Sequence, residues 1–498
     1  MTSSIKKGAI ISYVSIFLNI VISFFYTPWM IRQIGVSDYG LYSLIYSFIS
    51  YFLMDFGLHQ AVQRFIAKYR AENDEDKISK MVAITTKCYL AIDILIFIIL
   101  FVLYFFISNI FTGLTTEEIE RLKELYIIAG IFSVLNFMFK PMNGAMMAYE
   151  YFVEERLLEM VNRVGTVLLV CVALYMGADV FALILITGAT SLVVSIAKYV
   201  VFQYKSKLHI QWRYYNREEL RSVFSFSMWT FVVSIAQKLR VSLVPTVLGI
   251  VSNSNEIAVF SVGMVIEGFI FTISSALNGL FLPKVSRLSI NNNKTEITKL
   301  MIRVGRLQLY VWGLIFSGFF IFGNSFLHLW VGDKFINSYY VLIFIGFHSI
   351  TSLTQSIAMD LVYAENKIRH TAKLTIISAV IGFVISFPLA KYYGAIGAAA
   401  GSGFGLCLYQ ILLNIFYSKK LNLQIISFFK ECHIMILPTI MTVGFVSYIL
   451  VGLNDNKSWP VLISEIILYS IIYVFVLYYF NFNREEKNHL MIFRNKKI

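Results

Sequence analysis

Seven charged side chains lie inside long apolar segments of this sequence, at depths where a charge is costly. They are Asp55, Asp93, Lys140, Arg163, Lys238, Arg240 and Glu267. An isolated charge near the centre of a bilayer costs about 2.5–3.5 kcal/mol on insertion scales, and such groups usually face a cavity or a partner. These positions are therefore the candidates for a functional site.

Four of the seven are basic, and this predicts a site for an anion. Lysine offers a point charge to phosphate oxygens, and arginine offers a planar fork. The predicted substrate-binding residues are Lys238, Arg240, Lys140 and Arg163, for a cargo such as a lipid-linked phosphate or pyrophosphate. Lys238 and Arg240 differ by about 200° around a helix, so we do not expect both to face one narrow channel.

The three acids have two interpretations. Asp55, Asp93 and Glu267 either couple transport to an ion or act as counter-charges to the bases. Glu267 is a candidate partner for Lys238 or Arg240. Both interpretations stay open from the sequence alone.

Local features offer structural explanations for some of these charges. Glu159 lies one turn before Arg163, and a local ion pair between them is the competing interpretation of that arginine. Lys140 precedes Pro141, which loosens a helix and frees backbone groups. Charges near the ends of apolar segments are expected to reach headgroups or to be structural; these are Arg306, Asp360 and Glu465.

The sequence carries no recognisable motif for nucleotide, metal or covalent chemistry. Residues 394–405 are rich in glycine but lack the preceding strand and the Lys-Ser/Thr ending of a phosphate loop. Gly397, Gly401 and Gly405 recur at every fourth position, which indicates a face for close helix packing in lipid. Four scattered cysteines and isolated histidines lack metal spacing. We predict no cofactor, no metal and no enzymatic activity, with transport driven by an existing gradient or by the cargo's own gradient.

Composition identifies the surroundings of these charges. Of the 498 residues, 58% are hydrophobic and only 14% are charged, against about 25% charged in a typical soluble protein. The apolar runs are long and do not alternate, which favours helices over a barrel. Basic loops on the cytoplasmic side explain the net charge of +13 better than nucleic-acid binding does. The chain is predicted to be an all-α polytopic membrane protein with no nucleic-acid partner.

Fourteen segments are long and apolar enough to cross a bilayer. They cover residues 10–32, 40–62, 84–110, 125–148, 155–176, 179–202, 222–250, 256–281, 301–323, 338–362, 370–391, 394–417, 433–452 and 460–481. Basic residues concentrate in alternate loops, after the second segment at Lys68, Arg70, Lys77 and Lys80, and after the sixth at Lys205, Lys207, Arg213, Arg217 and Arg221. The excess of basic residues in these loops predicts that they and both termini are cytoplasmic.

A weak internal repeat indicates how the segments are organised. Pro28, Ala148–Glu150 and Gly177 have counterparts at Pro245, Tyr363–Glu365 and Gly394, at nearly constant separations of 215 to 217 residues. Each repeat has six segments, so the two halves have the same orientation, as in transporters with parallel repeats. We predict a six-helix bundle over residues 1–208, a second over 209–420, and two additional helices with a tail over 421–498.

The first two segments resemble those of bacterial polysaccharide flippases of the O-antigen type. These belong to the multidrug/oligosaccharidyl-lipid/polysaccharide exporter superfamily. The shared features lie within about 60 residues and comprise Pro28, Gly35, the Asp38-Tyr39-Gly40-Leu41 turn, Asp55-x-Gly57-Leu58 and Arg64 before Ile-Ala-Lys-Tyr. The fourteen segments and the repeat extend the resemblance along the whole chain.

The resemblance implies a function in surface polysaccharide or lipopolysaccharide biosynthesis. The cargo would be an undecaprenyl-diphosphate-linked oligosaccharide, moved across the bacterial cytoplasmic membrane through a cavity open alternately to each side. Basic cavity residues would meet its charged headgroup, with Lys238, Arg240, Glu267 and Asp55 ranked first and Lys140 and Arg163 next. Coupling to protons or sodium, and partnership with a polysaccharide polymerase and chain-length proteins, follow from the same resemblance.

Three other functions remain in competition. A lipid II flippase is a near neighbour. A drug or cation exporter of the same superfamily would favour an acidic, aromatic-lined cavity. A membrane glycosyltransferase or polysaccharide polymerase generally needs sizeable outer loops, whereas the loops near 111–124 and 324–337 are short.

Overall fold

The computed structural model of this protein describes residues 3–53, 58–275, 278, 280–451, 458–484 and 486–487. This part of the chain is almost entirely helical and contains no strand. Its helices, in chain order α1 to α19, are Ser3–Ile34, Val36–Ile49, Leu58–Ala71, Glu75–Ile110, Thr116–Phe137, Pro141–Ala148, Phe152–Tyr175, Val180–Ser206, Arg217–Val251, Ser254–Ser274, Leu282–Ile290, Lys294–Trp330, Ser338–Gly346, Ser349–Thr354, Ser356–Ala364, Ile368–Leu421, Ile425–Phe428, Met435–Val451 and Trp459–Phe480.

The helices gather into two compact units. One comprises Met1–Ser261 with Ser386–Ala398, and the other comprises Val262–Ile385 with Ala399–Ile498. The predicted boundaries at residues 208 and 420 follow the sequence repeat rather than these contacts, and they stay a prediction.

Ten helices among the described residues are long and apolar enough to span a membrane. The described residues of the fourteen predicted segments fall mainly on helices, with the following differences in detail. The segments 370–391 and 394–417 form one 54-residue helix, α16, whose backbone turns sharply at Gly394. The segment 40–62 is divided between α2 and α3, and the segment 125–148 is divided between α5 and α6. The segment 338–362 is divided into α13, α14 and α15. Polar residues at the last breaks explain the division, because His348 bonds the carbonyl of Ile345 instead of leaving it to the helix.

Short polar residues fix where several helices begin. Thr115 and Glu118 form a reciprocal capping box at the start of α5. Asp74 caps α4, and Asn216 caps α9. Such caps bond the backbone N–H groups that the first turn of a helix leaves free. They let the apolar helices start at defined residues after polar loops.

Backbone geometry repeats along the chain as the sequence repeat predicts. Left-handed residues end or join helices at Asn73 and Asn292, Glu150 and Asn366, Gly177 and Gly394, and Lys207 and Asn422. Members of these pairs are separated by 219, 216, 217 and 215 positions. Pro28 and Pro245 likewise sit inside α1 and α9, each six residues before the helix end. Non-glycine residues rarely adopt positive φ, so the three pairs without glycine are consistent with the repeat seen in the sequence.

Two equivalent positions of the repeat touch each other inside the first unit. The hydroxyls of Ser37, at the start of α2, and Ser254, at the start of α10, are 2.9 Å apart. Both donate to Glu118, with the bond from Ser37 at 3.0 Å. Gly40 makes the approach possible, because a Cβ there would lie 2.0 Å from the carbonyl oxygen of Ser254. We call this contact the serine junction; the charge pattern predicts that it lies at the outer side.

Candidate functional site

A polar cavity of about 400 Å³ lies within the first unit, between α1, α7 and α8. Nine of its ten lining residues are polar or charged, although all three helices are apolar enough to span a membrane. The lining residues are Ser15, Ile16, Asn19, Arg156, Glu159, Asn162, Arg163, Thr166, Thr187 and Ser191. Its volume falls within the about 300–1,000 Å³ that is usual for small-molecule sites.

Helical spacing brings these groups to one place. On α7 the charged residues Arg156, Glu159 and Arg163 follow one another at intervals of three and four. Ser15 and Asn19 on α1 are four residues apart. Residues at these intervals share a helix face. The polar face of α7 therefore lines the cavity together with Ser15 and Asn19 of α1.

Arg163 is the base of this cavity that has no acid bonded to it among the described residues. Its Nη2 donates to the hydroxyl of Ser23 at 2.6 Å, and the side chain is exposed to the cavity. Its charge acts on the nearby tyrosines Tyr26 and Tyr42. A guanidinium with a neutral partner is suited to an incoming phosphate or carboxylate, because a guanidinium carries five N–H donors and the bond to Ser23 uses one of them.

The local ion pair between Glu159 and Arg163, the competing interpretation of that arginine, is not formed. Glu159 instead accepts from Arg156 at 2.8 Å and lies 3.6 Å from the ammonium of Lys198. Lys198 is also 3.7 Å from Glu155 and donates to the amide oxygen of Asn143 at 3.0 Å. We call these residues the Lys198 cluster. It neutralises its own charges, so Arg163 stays available.

Hydroxyl groups continue the polar surface beside Arg163. Thr166 and Thr190 are hydrogen-bonded at 2.6 Å across α7 and α8. Thr187 bonds the phenol of Tyr46, whose ring lies 4.7 Å from that of Tyr42. Neutral hydroxyls beside a single cation are the groups that hold a sugar or a phosphate ester by several directed hydrogen bonds.

Lys140 and Asp93, two of the predicted site residues, lie near each other elsewhere in the same unit. The ammonium of Lys140 donates to the carbonyl of Leu53 at 2.5 Å and lies 4.7 Å from the centre of the Phe137 ring. Its charge acts on Asp93. Asp93 is buried, and its Oδ1 has no hydrogen-bond partner among the described residues. A buried carboxylate of this kind fits either predicted role, counter-charge or ion coupling.

The remaining predicted residues are described to different extents. Lys238 is half-buried on α9 and makes no hydrogen bond or ion pair with a residue that the structure describes. Glu267 accepts a hydrogen bond from Ser349 at 3.0 Å. Arg240 lies on α9, but its side chain is outside the described residues, and so is the whole of Asp55. The anion-binding roles of Lys238 and Arg240 stay predictions.

Sequence reasoning missed much of this cavity. Arg156 and Lys198 lie near the ends of predicted segments and were not among the deep charges. A stronger signal was available in the spacing of Arg156, Glu159 and Arg163 along one face of α7. The depth of a single charge is therefore a poorer guide than a polar stripe that continues through several helical turns.

The structure offers nothing that requires a metal. No group of three or more His, Cys, Asp or Glu side chains that could hold one is found among the described residues. The four cysteines are present as free thiols. The absence of a cofactor stays a prediction.

Comparisons with known proteins identify the family. A family model described as polysaccharide biosynthesis protein matches residues 5–281, which is more than half of the chain. The chain belongs to that family. A relative is the probable low-salt glycan biosynthesis flippase Agl15 of Haloferax volcanii, 21% identical over 204 residues. The match covers 41% of this chain and 43% of Agl15, less than half of either.

Solved structures establish the fold of this family member. The lipid II flippase MurJ in an inward closed conformation superposes with a TM-score of 0.73 at 14% identity, covering 95% of this chain and 98% of MurJ. A multidrug resistance MATE family transporter of the MOP superfamily, in an inward-facing conformation, gives 0.67 at 12% identity, covering 86% and 99%. The predicted polysaccharide family is confirmed by the family model, and the predicted all-α polytopic fold is confirmed by these structures.

Proposed function

We propose that this protein is a flippase that moves undecaprenyl-diphosphate-linked oligosaccharide repeat units across the cytoplasmic membrane for surface polysaccharide biosynthesis. The observation that carries the proposal is Arg163, an accessible guanidinium with a serine as its bonded partner, inside a hydroxyl-lined cavity of an apolar helical unit. The family match and the name of Agl15 support glycan biosynthesis as the pathway.

The cavity also bears on the competing functions. Its hydroxyls and amides suit a sugar-bearing anion, whereas a cation exporter needs an uncompensated acid. Glu159, the acid of this cavity, is compensated by Arg156 and Lys198. A lipid II flippase remains the second candidate, because lipid II is also a diphosphate-linked saccharide on a polyisoprenoid and the fold of MurJ covers nearly the whole chain. We infer transport without covalent chemistry, and therefore no enzymatic activity.

Transport by the purified full-length protein tests this function directly. Proteoliposomes would contain an undecaprenyl-diphosphate-linked oligosaccharide with a fluorescent sugar, and an impermeant quencher would report the fraction in the outer leaflet. We expect wild type to move the fluorescent lipid between leaflets and Arg163→Gln to slow it about 10- to 100-fold, the value of one charge-assisted interaction. Arg32→Gln, which removes an exposed arginine near the predicted outer end of α1, is the matched control.

The outcomes separate the candidates. Equal transport by wild type and Arg163→Gln would contradict the role of this arginine. Wild-type activity on lipid II but not on an undecaprenyl-diphosphate-linked oligosaccharide would favour the second candidate. Loss of transport in both arginine variants would indicate a general loss of charge rather than a site.

The pair Lys238 and Arg240 offers a second test of anion binding. Replacement of both by glutamine is expected to abolish surface polysaccharide while leaving the amount of protein in the membrane unchanged. Normal polysaccharide in the double variant would remove these two residues from the proposed site. The single variants would show which of the two carries the effect, since positions two apart on a helix are separated by about 200° around its axis.

We infer that the mechanism is alternating access, and that the serine junction parts during each cycle. Cysteines at 37 and 254 replace hydroxyls that are 2.9 Å apart, so oxidation is expected to join them. Transport should stop in the oxidised double variant and return on reduction. Each single-cysteine variant is the control, and continued transport by the oxidised double variant would contradict the proposed movement.

The proposed location is the bacterial cytoplasmic membrane, with both termini in the cytoplasm. Cysteines at Glu117 and Lys205, both exposed, test this orientation. An impermeant maleimide added to intact cells should label the first and not the second. A proton or sodium gradient is the proposed energy source, with Asp93 as a candidate coupling residue, and a polymerase and chain-length proteins are the proposed partners.

A further inference from the structure

An apolar groove continues the polar cavity along the same two helices. It has a volume of about 790 Å³ and lies between α1 and α7. From α1 it is lined by Ile22, Phe25 and Trp29, and from α7 by Val167, Cys171 and Tyr175. The polar cavity, by contrast, uses Ser15 and Asn19 of α1 and Arg163 of α7.

The cavity and the groove form one stripe. Ser15, Asn19, Ile22, Tyr26 and Trp29 follow one another on α1 at alternating intervals of four and three, so they share a face. This stripe is about 21 Å long, at 1.5 Å per residue. Its chemistry changes once along its length, from hydroxyl and amide groups to hydrocarbon.

Arg163 lies where the two regions meet. Its guanidinium binds Ser23, close to where the apolar part of α1 begins at Val21, and its charge acts on Tyr26 of the groove. Thr166 lines the cavity and the next residue, Val167, lines the groove. A ligand with an anionic head at Arg163 therefore has a hydrocarbon surface leading directly away from that head.

We propose that this groove holds the polyisoprenoid chain of the transported lipid while its diphosphate lies at Arg163. The inference rests on the proposed function, because it assigns the two parts of that cargo to two parts of one stripe. The groove is open to its surroundings: the side chains of Phe25, Val172 and Tyr175 are 69%, 58% and 88% exposed. An open groove lets the chain enter sideways from the bilayer without leaving hydrocarbon.

The occupant is distinguished from ordinary bilayer lipid by its attachment to a diphosphate. Lipid chains are as apolar as the groove, so selectivity comes from packing and from the linked headgroup rather than from transfer out of water. Val172 lies at the open edge of the groove. Leu169 is similarly exposed on α7 but does not line the groove; it lies about 200° around the helix from Val167 and Cys171 and about 60° from Val172.

A chain-length comparison tests the proposal. Full-length protein in phosphatidylcholine nanodiscs would be titrated with undecaprenyl diphosphate and with geranyl diphosphate, whose chain is too short to follow the groove. We expect Val172→Trp to weaken binding of the long-chain probe about tenfold, a packing effect of the size seen between helices in lipid, and to leave binding of the short-chain probe unchanged. Leu169→Trp should change neither, and equal unfolding temperatures would show that both variants fold.

The result that overturns the groove differs from the result that overturns the function. If wild type binds both diphosphates but Val172→Trp binds the long-chain probe as wild type does, the groove is not the chain site and the proposed function stands. If wild type binds neither diphosphate, the anion site fails, and the groove fails with it.

Photocrosslinking keeps the proposal testable if Val172→Trp fails to fold. A photoreactive amino acid at position 172 should capture undecaprenyl diphosphate in excess phosphatidylcholine, and one at position 169 should not. Capture of phosphatidylcholine alone at both positions would overturn the proposal, because it would show ordinary bilayer lipid in the groove.

Discussion

Arg163 and Arg306 are both arginines on apolar helices, and they show opposite ways to keep a charge there. Arg163, in the first unit, is exposed to a cavity and donates to one serine. Arg306, in the second unit, is 6% exposed. Its donors are bonded by both carboxylate oxygens of Glu486, at 2.7 and 3.0 Å, by the phenol of Tyr310 and by the carbonyls of Glu431 and Asn481.

The difference separates a binding group from a structural one. A buried arginine with all three nitrogens bonded offers little to a ligand and joins the segments that bond it. Here these are α12, the turn around Glu431 and the region after α19. The hydrogen bond from Arg306 also acts on Glu486: burial favours the neutral acid, but the guanidinium outweighs it and lowers the pKa of Glu486. Arg163, with one neutral partner, keeps further N–H groups that can bind a ligand.

The largest predicted effect is loss of stability on removing Arg306. Arg306→Gln leaves Glu486 buried beside neutral groups, which is expected to lower the free energy of unfolding by about 3–5 kcal/mol. Denaturant titration of the purified protein measures it. The double variant Arg306→Gln with Glu486→Gln should recover part of the loss, since no uncompensated charge remains. A stable Arg306→Gln variant with impaired transport would break the comparison, because Arg306 would then be a functional residue.

A second effect, of intermediate size, concerns the Lys198 cluster. Lys198 is 8% exposed and lies near two acids, so Lys198→Met leaves Glu155 and Glu159 facing each other with Arg156 alone. We expect a loss of about 2 kcal/mol, less than for a fully buried pair because Glu159 is partly exposed. The same denaturant titration applies. This variant sharpens the comparison, because Lys198 is a structural cation in the same unit as Arg163.

In the Lys198→Met variant, the carboxylate of Glu159 can compete with the anionic cargo for Arg163. If Glu159 turns to Arg163 when Lys198 is absent, transport should fall although Arg163 itself is intact. Unchanged stability and unchanged transport together would contradict the assignment of Lys198 as the neutralising group of this cluster.

The sequence predicted the architecture better than the partners of the charges. Apolar length, basic loops and the repeat led to the helices, and the paired left-handed residues from Asn73 to Asn422 agree with that repeat. The bonding partners of the charged residues were harder to predict, because they depend on which residues of distant segments come into contact. Glu159 is four residues before Arg163, but it bonds Lys198, which is 39 residues further along the chain. Arg306 near a segment end was expected to be structural, and its bond to Glu486 depends on a contact 180 residues away.

A smaller effect separates charge from geometry at Arg163. Arg163→Lys keeps the positive charge but loses the planar fork and the reach to Ser23, so we expect transport to fall about tenfold with stability unchanged. The proteoliposome assay measures the rate, and Ser23→Ala is the matched control for the loss of the single bond at 2.6 Å. Full activity of Arg163→Lys would show that the site needs only a point charge, and the contrast with the bidentate Arg306 would then be one of burial alone.

The smallest predicted effect concerns two glutamates that the sequence repeat aligns, Glu365 and Glu150. It tests whether the bonded partners of a charge decide its contribution to stability. Glu365 accepts from Lys367 at 2.7 Å and from Lys294. Burial opposes its ionisation, but these hydrogen bonds outweigh burial and lower its pKa. The carboxylate therefore stabilises the fold above the unfolded pKa of about 4.3, and this contribution is lost as the pH falls through the lowered folded pKa.

Glu365→Gln is thus expected to lower the unfolding free energy at pH 7 by about 0.5–1 kcal/mol, with the difference from wild type vanishing in acid. Unfolding followed from pH 7 downward measures it. Glu150, which the sequence repeat aligns with Glu365, is exposed and has no ion pair with a described residue, so Glu150→Gln should change neither the stability nor its pH dependence. Equal effects of the two variants would mean that repeat position, rather than bonded partners, decides what a charge contributes, and the distinction between Arg163 and Arg306 would lose its physical basis.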